Sequence, residues 1–195
     1  MKTTNRDLLV NCYHPTLWRT CRVLANECRL QCLREVVTTP GLCVTEIAQA
    51  VGISISDTSF HLRLLQSRGL IIARRVGRWV YYSPVADPLV PSAAPLLEVM
   101  SHLFLQGEAL PHIMKQVTAY THPRRLQILR LVQQKSPLTV LTIARRCNIS
   151  LPATYRHIHK LITRRLIGYN DDIVTFLPPS QPIHQVMLRL ISKSL

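Results

Sequence analysis

Thiols are the side chains of this chain with the clearest capacity for chemistry. Its six cysteines stand at positions 12, 21, 28, 32, 43 and 147 and form no C-x-x-C pair. Cys21, Cys28 and Cys32 would share one helical face if residues 16–37 formed a continuous helix. Such a face could bind a thiophilic ion or act as a redox switch. The alternative is that these cysteines are small apolar side chains packed in a core.

Histidines and carboxylates offer a weaker metal pattern and no catalytic one. Glu98, His102 and His112 have zinc-ligating side chains and lie in a segment with helical spacing. The sequence contains no Gly-rich phosphate loop, no nucleophile elbow and no paired-carboxylate motif. We therefore predict that the chain is not an enzyme and uses no cofactor.

The charge balance indicates a polyanionic partner. The chain has 24 Lys and Arg but ten Asp and Glu, which gives a net charge of +14. Such a charge is typical of proteins that bind nucleic acid. The N-terminal residues 1–14 lack the apolar core of a signal peptide, and no run of about 18 apolar residues could span a bilayer. We predict a cytoplasmic protein with no membrane partner, whose cysteines remain reduced.

The secondary-structure elements that must position the candidate functional side chains occur twice in the sequence. With an offset of 96, residues 26–71 align without a gap to residues 122–167, and about 18 of the 46 positions are identical. In each copy an apolar helix precedes two shorter ones, and Gly52 and Asn148 hold the place between these two where positive φ is needed. Ser54 and Ser150 stand where the third helix begins.

The third helix carries an apolar stripe and is followed by a β-hairpin. The stripe is Thr58, Leu62 and Leu65 in the first copy and Thr154, Ile158 and Leu161 in the second. The run "LIIARRVGRWVYYSP" predicts a hairpin with its tip at Val76–Gly77, and "IGYNDDIVTF" predicts the counterpart. The order helix, helix, turn, helix, hairpin is that of a winged helix-turn-helix.

Three of these runs carry a family resemblance. "LCVTEIAQAVGIS", "HLRLLQSRGLI" and "RRVGRWVYYSP" resemble the arsenical-resistance-repressor (ArsR) family of winged helix-turn-helix regulators over residues 26–83, and residues 122–177 resemble it more remotely. The resemblance implies a transcriptional regulator of bacterial type, a repressor by preference. It also implies that helices flanking the winged domain form a dimer interface.

The resemblance further implies where a thiolate site for arsenic-like ions would lie. The matching positions are Cys43, Thr45 and Ala48, so only one of the three is a ligand. A soft trivalent ion or tetrahedral zinc needs three or four donors. We therefore expect a DNA reader without this metal site.

The second helix of a helix-turn-helix enters the major groove, where each base pair shows a distinct pattern of donors and acceptors. Its face opposite the apolar stripe is predicted to contact bases through Ser56, Asp57, Ser59, Phe60 and Arg63 in the first copy and Tyr155, Arg156, His159 and Lys160 in the second. Arg63 and Arg156 suit guanine, and Phe60 suits a thymine methyl. The alternative is that these residues are merely solvated helix surface.

The two wings differ in charge. Arg74, Arg75 and Arg78 surround the first hairpin tip and are predicted to meet phosphate, with Trp79 and Tyr81 bracing the wing. Asp171 and Asp172 form the second tip, which phosphate would repel. The equivalent histidines, His61 and His157, are predicted to be half-buried and bonded to backbone.

The predicted fold class is mainly α with small β-hairpin wings (α+β): two tandem winged helix-turn-helix domains joined by a helical bridge. Residues 1–83 form the first domain, 84–120 a proline-rich linker and bridging helices, and 121–195 a divergent second domain with a C-terminal helix. The predicted partner is double-stranded DNA, bound by a homodimer or by a pseudo-dimeric monomer through the two copies. The alternative function is a protein-interaction scaffold whose second domain serves dimerisation, although a scaffold has no need of the +14 charge.

Overall fold

Helices form most of the structure, a computed structural model that describes residues 16–193. The first half contains α1 (Leu17–Leu24), α2 (Glu27–Thr38), α3 (Val44–Val51), α4 (Ile55–Gln66), β1 (Ile72–Val76) and β2 (Trp79–Ser83). Next come α5 (Ala93–Leu105), α6 (Leu110–Val117) and a 3₁₀ turn (Thr118–Tyr120). The second half contains α7 (Pro123–Lys135), β3 (Leu138–Thr139), α8 (Val140–Cys147), α9 (Leu151–Ile162), β4 (Ile167–Asn170), β5 (Ile173–Phe176) and α10 (Pro182–Lys193). Among these described helices, none has the length and apolar character needed to cross a membrane.

Both helix-turn-helix units have the predicted turn. Gly52 ends α3 with φ of 76°, and Asn148 ends α8 with φ of 50°. Both turns thus require a left-handed backbone conformation, which glycine and asparagine tolerate. The side chain of Ser54 caps α4, since its Oγ accepts from the Asp57 N–H at 3.0 Å. Ser150 stands at the N-cap of α9 without a side-chain bond, and that helix begins with Pro152 in its first turn.

The apolar stripes of α4 and α9 lie in the core, as predicted. Their members are at most 2% exposed: Thr58, Leu62, Leu65, Thr154, Ile158 and Leu161. The two threonines are tolerated there because each hydroxyl donates to a carbonyl four residues earlier, at 2.9 Å from Thr58 and 3.0 Å from Thr154. Buried side chains from both halves belong to one continuous hydrophobic cluster.

Each hairpin closes in a two-residue turn. Val76 pairs with Trp79, so the first turn is Gly77–Arg78, one residue beyond the predicted tip. The shift follows from Gly77, whose φ of 61° suits the first central position of a tight hairpin turn. In the second hairpin the turn is Asp171–Asp172, both with positive φ.

A third strand completes the second wing and was not predicted. β3 pairs with β5 in antiparallel fashion, which gives the order β3-β5-β4. The first copy has only a single bridge at this place, between Cys43 and Tyr81. Two paired residues are too few to produce the alternation by which a strand is recognised in sequence.

Residues 16–37 do not form one continuous helix, which was the condition for Cys21, Cys28 and Cys32 to share a face. α1 ends at Leu24, and α2 begins after Asn26, whose side chain caps the new helix by accepting from the Arg29 N–H at 3.0 Å. The premise for a shared thiol face on Cys21, Cys28 and Cys32 is therefore lost, because Cys21 belongs to a different helix from the other two.

The thiols of these helices are core side chains. Cys21 and Cys32 are fully buried, whereas Cys28 is half-buried. Burial raises the pKa of the Cys21 thiol and raises that of Cys32 to about 12, so neither is a reactive thiolate. Within residues 16–193, no three His, Cys, Asp or Glu side chains converge on a position that could hold a metal ion. Cys12 lies outside the described residues.

The segment between the two units is helical over most of its length. α5 begins at Ala93, inside the predicted proline-rich stretch 84–95, because Pro95 is accommodated in the first turn of a helix. The predicted interruption is confirmed at Gly107, which has φ of 72°, whereas Pro111 lies in the first turn of α6. The expected C-terminal amphipathic helix is α10.

Candidate nucleic-acid interface

The outer face of α4 carries the side chains predicted to read DNA in the first copy. Ser56, Asp57 and Arg63 are exposed, Ser59 is half-buried and Phe60 is 51% exposed. A phenyl ring exposed to that extent is free to contact an apolar surface such as a thymine methyl. The structure thus brings the five residues to one accessible face.

Asp57 has a structural role within this set. Its carboxylate accepts from the Ser54 hydroxyl at 2.7 Å, while its backbone N–H donates to that same hydroxyl oxygen. This reciprocal pair fixes the start of α4 and places a negative charge at the positive end of the helix dipole. Phe60 and Arg63 are therefore better suited to contact DNA than Asp57.

The outer face of α9 carries the second predicted set. Tyr155, Arg156 and His159 are exposed, and Lys160 is half-buried. The Tyr155 hydroxyl donates to Oδ1 of Asp172 at 3.0 Å, and this bond raises the pKa of Tyr155. Its ring stays 45% exposed, so it remains accessible beside Arg156.

Positive charge accumulates around the start of α7 and the inner side of α9. The rings of His122 and His157 lie 4.6 Å apart between centroids. Burial, together with the positive charge of the neighbouring His122, Arg125, Arg156 and Arg124, lowers the pKa of His157 to about 4. Neutral histidines surrounded by guanidinium groups make this surface favourable for an anion such as a phosphate.

Sequence reasoning missed His122 and Arg124 as members of this surface. Arg124 reaches from α7 to the helix-turn-helix, where its guanidinium donates to the Cys147 carbonyl at 3.2 Å. The signal that could have identified them is the run "HPRR" at the entry of α7. A helix start that carries two arginines is a common phosphate-contacting feature.

The first wing presents its arginines in different directions. Arg74 shares a face with Trp79 and Tyr81, while Arg75 points to the other face, because side chains alternate along a strand. Arg78 lies on the turn, with its guanidinium 5.0 Å from the centre of the Trp79 ring. All three arginines are exposed, and Arg78 is the one held at the tip.

The second wing has an acidic tip tied to its own helix. Oδ2 of Asp171 accepts from the Asn170 side chain at 3.0 Å, and Asp172 accepts from Tyr155. The strands of this hairpin, β4 and β5, contain no basic residue. This wing is therefore unsuited to phosphate.

Cys43 is a structural residue of the first helix-turn-helix. It is 5% exposed at the N-cap of α3, where its N–H donates to the Glu46 carboxylate at 2.7 Å. Its Sγ lies 3.0 Å from the Thr45 hydroxyl. At the other two positions matched to the family's site, Thr45 supplies a hydroxyl and Ala48 no donor, so one thiol cannot supply the donors of a thiolate site.

The remaining histidine predictions have different outcomes. His61 is half-buried as expected, but its Nδ1 has no hydrogen-bond partner, so the predicted bond to backbone is wrong there. Glu98 and His102 line a cleft of about 410 Å³ between α5 and α10. His112 instead pairs with Glu108 at 3.2 Å.

Two family models match the chain. A winged helix-turn-helix DNA-binding family matches residues 30–72, and a helix-turn-helix domain family matches residues 120–167. The first match extends from α2 to the start of β1, and the second from the 3₁₀ turn to the start of β4. These two segments are also the ones that align in the internal repeat.

Several curated regulators are similar to part of the chain. A transcriptional repressor SmtB homolog from Synechocystis sp. is 45% identical over 80 residues, 41% of this chain and 58% of its own length. The cadmium resistance transcriptional regulatory protein CadC of Listeria innocua is 32% identical over 77 residues, 40% of this chain and 65% of its own. The arsenical resistance operon repressor of Escherichia coli is 34% identical over 73 residues, which is 37% of this chain and 61% of its own length. The chain thus spans less than two thirds of the length of each of these relatives.

Among solved structures, human N-acetylserotonin methyltransferase aligns with 85% of this chain and 49% of its own, at 16% identity and a TM-score of 0.35. That score is too low to indicate a common overall arrangement.

Proposed function

We propose that the chain, whose helix-turn-helix segments are similar to repressors of the ArsR type, is a sequence-specific regulator of transcription that acts as a repressor on double-stranded DNA. The observation that carries the proposal is the pair of helices α4 and α9. Each buries an equivalent apolar stripe and turns polar, basic and aromatic side chains outward. An exposed second helix of a helix-turn-helix suits the major groove.

The contacts divide between base reading and phosphate binding. On α4, Phe60 and Arg63 are suited to base edges, and on α9 Arg156 and His159 are. Arg78 on the first wing is suited to phosphate or to the minor groove. A net charge of +14 supports strong, salt-dependent binding.

The organisation follows from the same premise. We take residues 1–83 as the first winged domain, 84–120 as the linker with bridging helices α5 and α6, and 121–195 as the second winged domain. Because a regulator of this type acts on chromosomal DNA, we propose that it works in the cytoplasm of a prokaryotic cell.

A protein-interaction scaffold is the competing function. The acidic second wing favours it locally, since Asp171 and Asp172 suit a basic protein surface better than phosphate. A scaffold function does not explain, however, the exposed arginines on the first wing and on helices α4 and α9. We therefore place DNA binding first.

Direct binding to labelled duplexes tests the proposal. A pool of genomic fragments should be bound at about 50 mM salt and largely released at about 200 mM, with log K falling by about 0.9 per phosphate contacted for each unit of log salt. After selection, the retained fragments should share a sequence motif. Absence of binding at the lower salt concentration across the whole pool would contradict the regulator assignment.

A further inference from the structure

We propose that one chain supplies both halves of a DNA-reading pair, so that its DNA site consists of two unlike half-sites rather than a palindrome. This inference rests on the proposed function and goes beyond it, because it fixes the number of chains on the DNA and the symmetry of the site.

The duplication extends past the aligned segment into the elements that precede each unit. Arg29 Nε donates to the Val23 carbonyl at the end of α1, at 2.6 Å. Arg125 Nε donates to the Ala119 carbonyl in the 3₁₀ turn, at 2.7 Å. Donor and acceptor are each offset by 96 residues. The same arginine-to-carbonyl bond thus occurs at the same place in both copies. α1, which precedes the first copy, is therefore equivalent to α6 and the 3₁₀ turn, which precede the second.

Equivalent flanking elements pack on each other. α1 packs on α6 and its 3₁₀ turn, and α5, which follows the first wing, packs on α10, which follows the second. Contact between equivalent patches of two equivalent units is the pattern of a two-fold dimer. The symmetry is approximate, since α2 packs closely on α6 whereas the equivalent packing of α7 on α1 is weaker.

Most apolar side chains of these flanking helices pack inside the chain, although Leu105 at the end of α5 is 70% exposed. Leu96 and Met100 of α5, and Ile183 and Met187 of α10, are at most 1% exposed. Tyr120 of the 3₁₀ turn is fully buried. A second copy of the chain is thus not needed to cover them, and the paired arrangement of winged units is already complete in one molecule.

The outward faces of α4 and α9 carry different residues at the equivalent positions named below, although their buried stripes match. Thr58 and Thr154 are equivalent, as are Leu65 and Leu161. At the outward positions the equivalent pairs are Ser59 with Tyr155, Phe60 with Arg156, and Arg63 with His159. Side chains of different chemistry prefer different base edges. The two half-sites should therefore differ in sequence.

Selection from a random duplex library, combined with light scattering, tests the inference on the full chain. The 22.2 kDa chain should form a complex with one chain per duplex. The selected motif should be non-palindromic, with two halves centred about 10 bp apart, one helical turn of DNA. Duplexes in which either half is replaced by an inverted copy of the other should bind more weakly.

Variants of α4 and of α9 identify which half-site of the DNA each helix contacts. The pair Phe60→Ala and Arg63→Ala should reduce discrimination in one half only, and Arg156→Ala with His159→Ala in the other half only, by roughly fivefold to a hundredfold. Gln106→Ala is the matched control, because Gln106 is exposed between α5 and α6 and should change neither half.

The outcomes separate this inference from the proposed function. A palindromic motif bound by two chains, or a single pair of variants that alters both halves, would overturn the inference while leaving DNA binding intact. A library from which no motif is enriched would overturn the proposed function and the inference together.

Discussion

The Tyr155 hydroxyl donates to Oδ1 of Asp172 at 3.0 Å, and this bond ties the acidic tip of the second wing to helix α9. The tip is thereby held beside the face that carries Arg156. A wing fixed in this position places its carboxylates near any phosphate that α9 approaches. The second unit is consequently expected to bind DNA through its helix alone.

Charge reversal at this tip should strengthen binding. Asp171→Lys replaces a repulsive contact with an attractive one, so we expect higher affinity for random duplex and a salt dependence steeper by about 1. Asp171→Asn is the matched control, since it keeps a residue that tolerates positive φ and removes the charge only. If titrations at two salt concentrations give the wild-type slope for Asp171→Lys, the tip faces away from DNA.

Arg78→Ala should weaken binding almost evenly across sequences. Because Arg78 lies on the first turn and is suited to phosphate, its loss should lower the salt slope by about 1 and leave base preference unchanged. Arg78→Lys should retain the slope, since it keeps the charge and loses only the planar contact with Trp79. The measurement is a titration of matched and randomised duplexes, and a loss confined to one sequence would contradict a phosphate role.

Arg156→Ala should relax the preference at one base position. A bidentate contact to guanine discriminates by about 1–3 kcal/mol, whereas nonspecific affinity should fall much less. Arg156→Lys preserves the charge but not the fork-shaped donor set, so it should show the same lost preference with a wild-type salt slope. Competition between the selected site and single-base variants measures this. Unchanged preference would mean that α9 does not read bases.

Cys43→Ser should leave DNA binding and its response to arsenite or zinc unchanged. Cys43 is buried at the N-cap of α3, and among the described residues it belongs to no group of three His, Cys, Asp or Glu side chains that could hold a metal ion. Cys28→Ser is the matched control, because Cys28 is the half-buried thiol of α2. Release of DNA by arsenite that is abolished by Cys43→Ser would contradict this expectation.

Acidification should destabilise the protein through His184. This side chain is 4% exposed, its Nδ1 shares a hydrogen bond with the Tyr120 hydroxyl at 2.8 Å, and burial lowers its pKa to about 4. The unfolded chain, with a histidine pKa near 6.5, binds more protons between these two values. The contribution of neutral His184 is present above about pH 6.5 and is lost as the pH falls toward 4.

Chemical denaturation at pH 7 and pH 5 measures this loss. The free energy of unfolding should fall by up to about 1.4 kcal/mol per pH unit through His184, and the lowered pKa of His157 acts in the same direction. His184→Gln should reduce the pH dependence, whereas Tyr120→Phe should lower stability at both pH values while retaining the dependence. An identical pH dependence in His184→Gln and the wild type would refute the assignment.

Local sequence signals were sufficient for the helix-turn-helix units. Gly52 and Asn148 marked the turns because few residue types adopt positive φ, and the stripe containing Leu62 and Ile158 marked the buried faces because helical periodicity depends only on neighbouring positions. The faces opposite these stripes were placed by the same reasoning, since an outward side chain on a half-buried helix is fixed by its register.

Features that depend on distant contacts could not be predicted. The break between Leu24 and Glu27 lies in a run whose composition permits one long helix, and it is stabilised by the cap on Asn26 and by Arg29. The bond between Tyr155 and Asp172 joins residues 17 positions apart, and periodicity contains no information about such pairs. Packing of α5 on α10 likewise depends on the full chain.

The hydrophobic cluster shared by the two halves determines how the chain can lose its structure. Because no boundary in this core separates one half from the other, heating should produce a single cooperative transition rather than two. A fragment that ends after Ser83 would expose the apolar side chains of α1 and α2 that α6 and its 3₁₀ turn cover. Expressing the two repeats as separate fragments would therefore yield aggregation-prone halves. The different roles of the two copies can be separated only by point substitutions in the intact chain.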